Sequence, residues 1–281
     1  MKLWQQLSAW TEARIGLGQA GSALPTQAHL ATAEAQALAR DALWRKWNPE
    51  TLRESLTASG WPSLTLQTEV NDRQTFLARP DLGRRLRADA TAALASLSAS
   101  LDCIHPRLVI CISDGLSAAA IEHHAESFLK VFLPRLQAEP FYRGLAYPIV
   151  LLPFARVAAA DAIGAAAGAD ISVIIIGERP GLSAHDSLGI YVTYQPRIGR
   201  DDSERNCISN VRPPGGLAYD LASEQLCYLL RESLHLKLSG VNLKMQDMSI
   251  KDPLPEASFE IETSAHFNEK PARETRSERP L

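Results

Sequence analysis

The rhythm of hydrophobic and polar positions changes near residue 100. Upstream, the spacing is helical. Residues 27–47 (QAHLATAEAQALARDALWRKW) contain neither Gly nor Pro, and Leu30, Ala37 and Trp44 recur every seven positions, the spacing of one buried helical face. Pro25-Thr26 marks the expected start, with Thr26 as N-cap. Asn48-Pro49 marks the end, because the residue before proline avoids the helical region. A short helix over 49–58 follows, then a break at Gly60-Trp61-Pro62. The alternation in Leu64-Thr-Leu-Gln-Thr suits a short strand, and an Ala/Arg-rich helix is expected over 81–100.

Downstream, short continuous apolar runs take over. Leu108 to Ile112, Tyr147 to Leu152 and Ile171 to Ile176 are rich in β-branched residues and of strand length, as in strands buried on both faces of a parallel sheet. Helical stretches separate them at 117–136 and 157–167, and a last helix is expected over 218–238. Ile190 to Tyr194 adds an edge or mixed strand. Alternating strand and helix predicts an α/β fold with a doubly wound, mostly parallel sheet. The expected organisation is a smaller helical N-terminal domain (1–100), an α/β domain (101–244) and a polar C-terminal tail (245–281). Four prolines and mixed charge make disorder the expectation for the tail.

Composition adds exclusions. Of 281 residues 46% are hydrophobic and 22% charged, which rules out global disorder. Forty alanines against 6% aromatics suggest helices packed closely on small side chains. A net charge of −3 gives no general attraction to nucleic acid or anionic membrane. No run of about 18 apolar residues suits a membrane span, and MKLWQQLSAWTEARIG lacks the apolar stretch of a secretion signal. Cys103, Cys111, Cys207 and Cys227 are scattered without a CxxC pair, unlike a zinc site or disulfide scaffold, so a reducing cytoplasm is expected.

Several segments could carry chemistry. Gly16, Gly18 and Gly21 have GxGxxG spacing, which signals a dinucleotide site only after a strand; the residues before them look helical or irregular, so a loop needing positive φ is the simpler reading. Arg79, Arg84 and Arg85 suit a salt-bridged helix face. Ligands in such sheets bind beyond the carboxyl ends of the strands, which selects Ser113-Asp-Gly-Leu-Ser117 and Gly177-Glu-Arg-Pro-Gly-Leu-Ser183. Cys207 lies in a polar segment without a local His to activate it. His123 and His124 are adjacent on a predicted helix, point apart, and are not expected to form a metal pair. No HExxH, Walker loop, GxSxG or zinc constellation occurs, and neither a catalytic set nor a metal site is expected in this chain.

Five motifs occur in order: Ala13-Arg-Ile-Gly-Leu-Gly-Gln-Ala-Gly21, Arg79-Pro-Asp-Leu-Gly-Arg-Arg-Leu86, Ile112-Ser-Asp-Gly-Leu-Ser117, Gly177-Glu-Arg-Pro-Gly-Leu182 and Arg205-Asn-Cys-Ile-Ser-Asn210. Together they resemble the small (light) subunit of ethanolamine ammonia-lyase over about Thr11 to Val241. The resemblance implies a subunit of an adenosylcobalamin-dependent lyase that converts ethanolamine to acetaldehyde and ammonia by a radical mechanism. It implies a Rossmann-like domain covering the cobalamin at the interface with a large (β/α)₈ subunit that holds the substrate, within a higher hetero-oligomer, and inactivity of the isolated chain.

The family's cobalamin contacts fall on Val157, Glu178 and Cys207. Glu178 can accept from a corrin amide and Val157 can pack on the macrocycle or nucleotide tail. Cys207 can contribute its backbone or its sulfur. The DxHxxG motif of base-off cobalamin enzymes is absent, since His185-Asp-Ser-Leu-Gly189 has the wrong spacing; a base-on cofactor is expected. Packaging in a bacterial microcompartment is left open, because the chain starts about ten residues before its first motif whereas some relatives carry a longer N-terminal extension. Two other readings remain: a self-contained Rossmann-type nucleotide enzyme built on Gly16-Gly18-Gly21, which needs a preceding strand, and a structural assembly subunit with no cofactor contact.

Overall fold

The computed structural model describes residues 2–8, 10–99, 107–142 and 148–244; Cys103, Tyr147 and the expected tail 245–281 lie outside them. Six strands form one mixed sheet: β1 (Ser63–Thr65), β2 (Leu108–Ser113), β3 (Ile149–Leu151), β4 (Ile171–Gly177), β5 (Leu188–Tyr194) and β6 (Asn206–Val211). Their order is β1-β3-β2-β4-β5-β6. The first four strands in that order run parallel, and β5 and β6 are antiparallel to their neighbours. The sheet is therefore more mixed than expected. β6 was hidden in the sequence because NCISNV is polar: it buries Ile208 and Val211 and exposes Cys207 and Ser209.

Helices cover both faces of the sheet. On one face Leu108, Ile110 and Ile112 of β2 meet α3 (Pro49–Ala58), α7 (Glu126–Gln137) and α9 (Tyr219–Leu236) through Leu56, Phe128 and Leu226. On the other, Val109, Cys111 and Ile174 meet α5 (Ala88–Ala99) and α8 (Ala159–Ala167) through Leu94 and Ile163. Each such side chain contributes about 1.5–3 kcal/mol on burial. The first hundred residues thus supply one edge strand and part of both cores.

Two helical expectations need correction. In α2 (Thr26–Trp44) Thr26 is the first helical residue, Pro25 is the N-cap, and no side chain caps the helix. The helix buries Ala35 and Ala42, whereas Leu30 and Trp44, the expected buried stripe, are 62% and 52% exposed. Alanines allow α2 to approach α6 (Ala118–Ala120) closely, and the seven-residue stripe faces away. The helix expected over 81–100 begins only at Ala88. A 3₁₀ turn at Leu82–Arg84 precedes it, and residues 85–87 are drawn into a ladder in which the Glu69 amide donates to Arg85 and the Arg87 amide donates to Gln67. Among the described residues no helix is long and apolar enough to cross a membrane.

Candidate functional site

Parallel neighbours β2 and β4 end side by side, and the Leu116 amide donates across to the Gly177 carbonyl at 3.0 Å. Both loops selected from the sequence lie here, with opposite characters. At the end of β2, Asp114 is fully buried. Its Oδ1 accepts from the Phe154 amide at 2.7 Å, and its Oδ2 faces Arg73 Nη1 at 3.2 Å. Arg73 opens α4 (Arg73–Ala78), is 4% exposed, and also donates to the Gly115 carbonyl at 2.6 Å. Burial pushes the Asp114 carboxyl up to about 6, although Arg73 pulls it down; burial likewise lowers the Arg73 guanidinium. Arg73 and Asp114 are both buried against each other, so this loop is an internal fastening.

At the end of β4, Glu178 is half-buried and its partners hold it in place. Its Oε2 accepts from Ser187 Oγ at 2.6 Å and from the Asn210 amide at 3.2 Å; its Oε1 accepts from Ser209 Oγ at 2.5 Å. None of these partners is the adjacent, exposed Arg179. A Cβ on Gly189 would stand 3.0 Å from Glu178 Oε1, so glycine there makes room for the carboxylate. Three donors leave a carboxylate at least one free acceptor site.

Cys207 lies opposite Tyr191 in the β5–β6 register. Cys207 is exposed as a residue, yet crowding around its sulfur raises the thiol, against the lowering effect of the Tyr191 hydroxyl, so it stays protonated. Ser209 is exposed two positions along the same strand. Val157, in the turn before α8, is half-buried and, like Tyr191, packs against the edge of the second core. The three residues singled out by the resemblance thus lie toward the α8 side of the sheet, where β5 and β6 leave side chains open. Just before β6, buried Arg205 donates from Nε to Asp161 Oδ2 of α8 at 3.0 Å, anchoring the strand's entry. A groove of about 740 Å³ begins one residue past Val157 and follows Ala162 and Ala166 along α8, with Arg84, Arg85 and Arg200 on its walls.

Ser187, Ser209 and Asn210 were hard to foresee as partners of Glu178. The signal available was the alternation of Cys207 and Ser209 along β6, which needed the strand to be recognised first. Other segments resolve differently. Gly16, Gly18 and Gly21 all have positive φ, and among the described residues the helix α1 (Lys2–Ser8) and irregular backbone precede them, with no strand of the kind a nucleotide enzyme requires. Arg79 pairs with Asp81 at 2.8 Å and Arg85 approaches Glu69 at 3.9 Å, as expected for a salt-bridged surface.

His123 and His124 do not diverge as a regular helix would have them. A π turn at Ile121–Ala125 brings both to Asp186, with His123 Nδ1 at 2.9 Å and His124 Nε2 at 3.4 Å from Oδ2. His124 Nδ1 is 2.7 Å from the Tyr219 hydroxyl, and Arg212 Nε lies 3.8 Å from the other carboxylate oxygen. The ligand atoms of His123, His124 and Asp186 lie within 4.8 Å of one another, a spacing that could hold a metal ion, with the Arg212 guanidinium as the one opposing charge described beside them. Burial lowers His124 and favours its neutral form.

Residues 1–244 match the family described as ethanolamine ammonia-lyase light chain (EutC). The chain is 50% identical over 241 residues to the ethanolamine ammonia-lyase small subunit of Azotobacter vinelandii, covering 86% of this chain and 87% of that protein. It is 46% identical over 244 residues to the small subunit of Pseudomonas fluorescens, covering 86% of each. The small subunit of Ralstonia nicotianae is 44% identical over 244 residues, covering 86% of this chain and 87% of that protein. With its motifs in order and matches of this extent, the chain belongs to the ethanolamine ammonia-lyase light chain family.

Proposed function

We propose that this chain is the subunit of an ethanolamine ammonia-lyase that covers adenosylcobalamin at the boundary with the large subunit, through Val157, Glu178 and Cys207. The observation that carries the reading is the Glu178 carboxylate, fixed by Ser187, Ser209 and Asn210 at the open end of the sheet. Its chemistry fits the cofactor. A preoriented acceptor suits the amide rim of a corrin, while Val157 and the Cys207–Tyr191 pair offer apolar and weakly polar surface. The protonated Cys207 thiol is poorly suited to bind cobalt, which agrees with a base-on cofactor. When bound, adenosylcobalamin supplies radical chemistry. The residues of this chain orient its rim and keep water from that side, and the catalytic groups belong to the large subunit.

The isolated chain is accordingly inactive and works within a hetero-oligomer of large and small subunits in the cytoplasm, with microcompartment packaging open. Helices on both faces of a sheet with a parallel centre support a Rossmann-like, doubly wound reading for 101–244, with 1–100 as its helical N-terminal part. The test is reconstitution with the cognate large subunit. Deamination of ethanolamine should require both chains and adenosylcobalamin. In equilibrium dialysis, the Glu178→Ala complex should retain cobalamin about tenfold less tightly, the value of one charge-assisted hydrogen bond. Turnover by the isolated chain, or unchanged retention, would refute the covering role.

A further inference from the structure

We infer that the outer face of α2, together with the N-terminal arm, is the surface on which the large subunit docks; this rests on the function proposed above. Among the described residues, eight of the twelve exposed large hydrophobics fall between Leu3 and Trp44. Such a concentration is unusual for a soluble chain with nothing bound to it, and it includes Trp4, Trp10 and Trp44, a residue type favoured as an interface anchor.

The stripe on α2 has the form of a docking helix. Leu30, Ala37 and Trp44 lie within about 40° of one another around the axis, nearly opposite the buried Ala35 and Ala42. The helix is held to its own protein by alanines and offers its large side chains outward. Leu30 and Trp44 stand about 21 Å apart along the axis, a spacing suited to two anchors in an apolar groove.

Continuity with the proposed cofactor face identifies the occupant. The arm is bonded to the loop that carries Glu178: Ser183 Oγ donates to the Glu12 carbonyl at 3.1 Å, and Arg14 donates to the Leu182 carbonyl at 3.3 Å. Arg212, at the end of β6, pairs with the Glu12 carboxylate at 3.2 Å. The C-terminal end of α2 is tied by Arg45 to Glu122 at 3.0 Å, next to His123, whose Nδ1 is 2.9 Å from Asp186 at the end of the same loop. Arm and helix therefore flank the Glu178 loop. A large subunit closing over a cofactor at Glu178 meets this apolar surface in the same movement, whereas a second copy of this chain would compete with it for that edge.

The experiment measures affinity for the purified cognate large subunit by sedimentation and by an immobilised-partner assay. Wild type is compared with Leu30→Glu/Trp44→Glu and with Leu236→Glu, a control at a position 48% exposed at the C-terminal end of α9, on the opposite face of the sheet from Val157 and Cys207. The double variant should bind at least about 100-fold more weakly, the loss expected for two anchor residues, with an unchanged far-ultraviolet circular dichroism spectrum. Leu236→Glu should stay within about threefold, a surface-sized effect. A photoreactive residue at position 37 should crosslink to the large subunit, which tests the surface even if the double variant fails to fold. Wild-type affinity in the double variant, or no crosslink, overturns the surface and leaves the subunit reading standing. A wild-type homodimer that the variant dissolves, with the large-subunit complex intact, assigns the face to a second copy and overturns the inference. If wild type itself fails to bind the large subunit, the subunit reading falls and the surface with it.

Discussion

Asp114 and Glu178 are two acids placed at the ends of adjacent parallel strands. Each comes at or just after the end of a buried run, β2 or β4, and each sits in a loop with glycine beside it. Their fates differ because of what reaches them. A guanidinium from 41 positions upstream, on α4, enters behind Asp114 and closes it inside the protein. Glu178 receives two hydroxyls and one amide, from Ser187 just before β5 and from Ser209 and Asn210 of β6, all neutral groups, and keeps a side toward solvent. A buried acid with a full cationic partner is a structural fastening. An acid oriented by neutral donors at an open edge keeps its charge available to something else.

The sharpest way to break this contrast is to remove the cation. Arg73→Met should cost about 3–5 kcal/mol at pH 7.5 in urea unfolding, the usual consequence of leaving one member of a buried pair alone. The loss should depend on pH. The folded Asp114 carboxyl lies near 6, above the unfolded value of about 3.9. The folded chain therefore holds a proton that the unfolded chain has released, and this group's contribution to stability falls as pH rises from about 4 to about 6, then levels. Without Arg73 the folded value moves higher still, so the fall continues toward neutral pH. The cost of Arg73→Met should thus shrink between pH 7.5 and pH 5, and Asp114→Asn in that background should remove most of the dependence. A cost below 1 kcal/mol, or one that grows toward acid, would end the fastening account.

Glu178→Gln should act differently. It replaces one acceptor oxygen by a donor facing donors, yet the group is half-buried and water can compensate. The expected stability loss is about 1 kcal/mol, discounted for that exposure. Cobalamin retention by the complex should fall by about tenfold, read by dialysis and absorbance. A change in stability as large as that of Arg73→Met, with retention untouched, would make Glu178 a second fastening and erase the difference between the loops.

How much of this could be read in advance follows from range. The apolar runs of β2 and β4 and the helices between them were legible because burial on both faces leaves a continuous local signature. The loops at the strand ends were legible as positions. Their characters were not, since Arg73 reaches Asp114 across 41 residues and Ser209 reaches Glu178 across 31. β6 escaped because one of its faces is open and its residues are polar. The Leu30–Ala37–Trp44 stripe was visible, but periodicity gives a face without saying what covers it. The convergence of His123 and His124 on Asp186 required a π turn that helical spacing does not anticipate.

The smallest effect belongs to Cys207, and it separates a binding face from a reactive one. The residue is exposed on β6 with its thiol raised above the ordinary range by the crowding of its sulfur. A raised thiol carries less thiolate at pH 8 than a free cysteine, so iodoacetamide should label Cys207 more slowly than a model thiol, with the rate still climbing above pH 9. Cys207→Ser should change stability by no more than about 0.5 kcal/mol, because nothing in the core depends on the sulfur. Mass spectrometry of the labelled peptide gives the first measurement and urea unfolding the second. Fast labelling at pH 7 would mean an activated thiolate, and the open end of the sheet would then be a chemical centre in its own right instead of a surface that orients a cofactor.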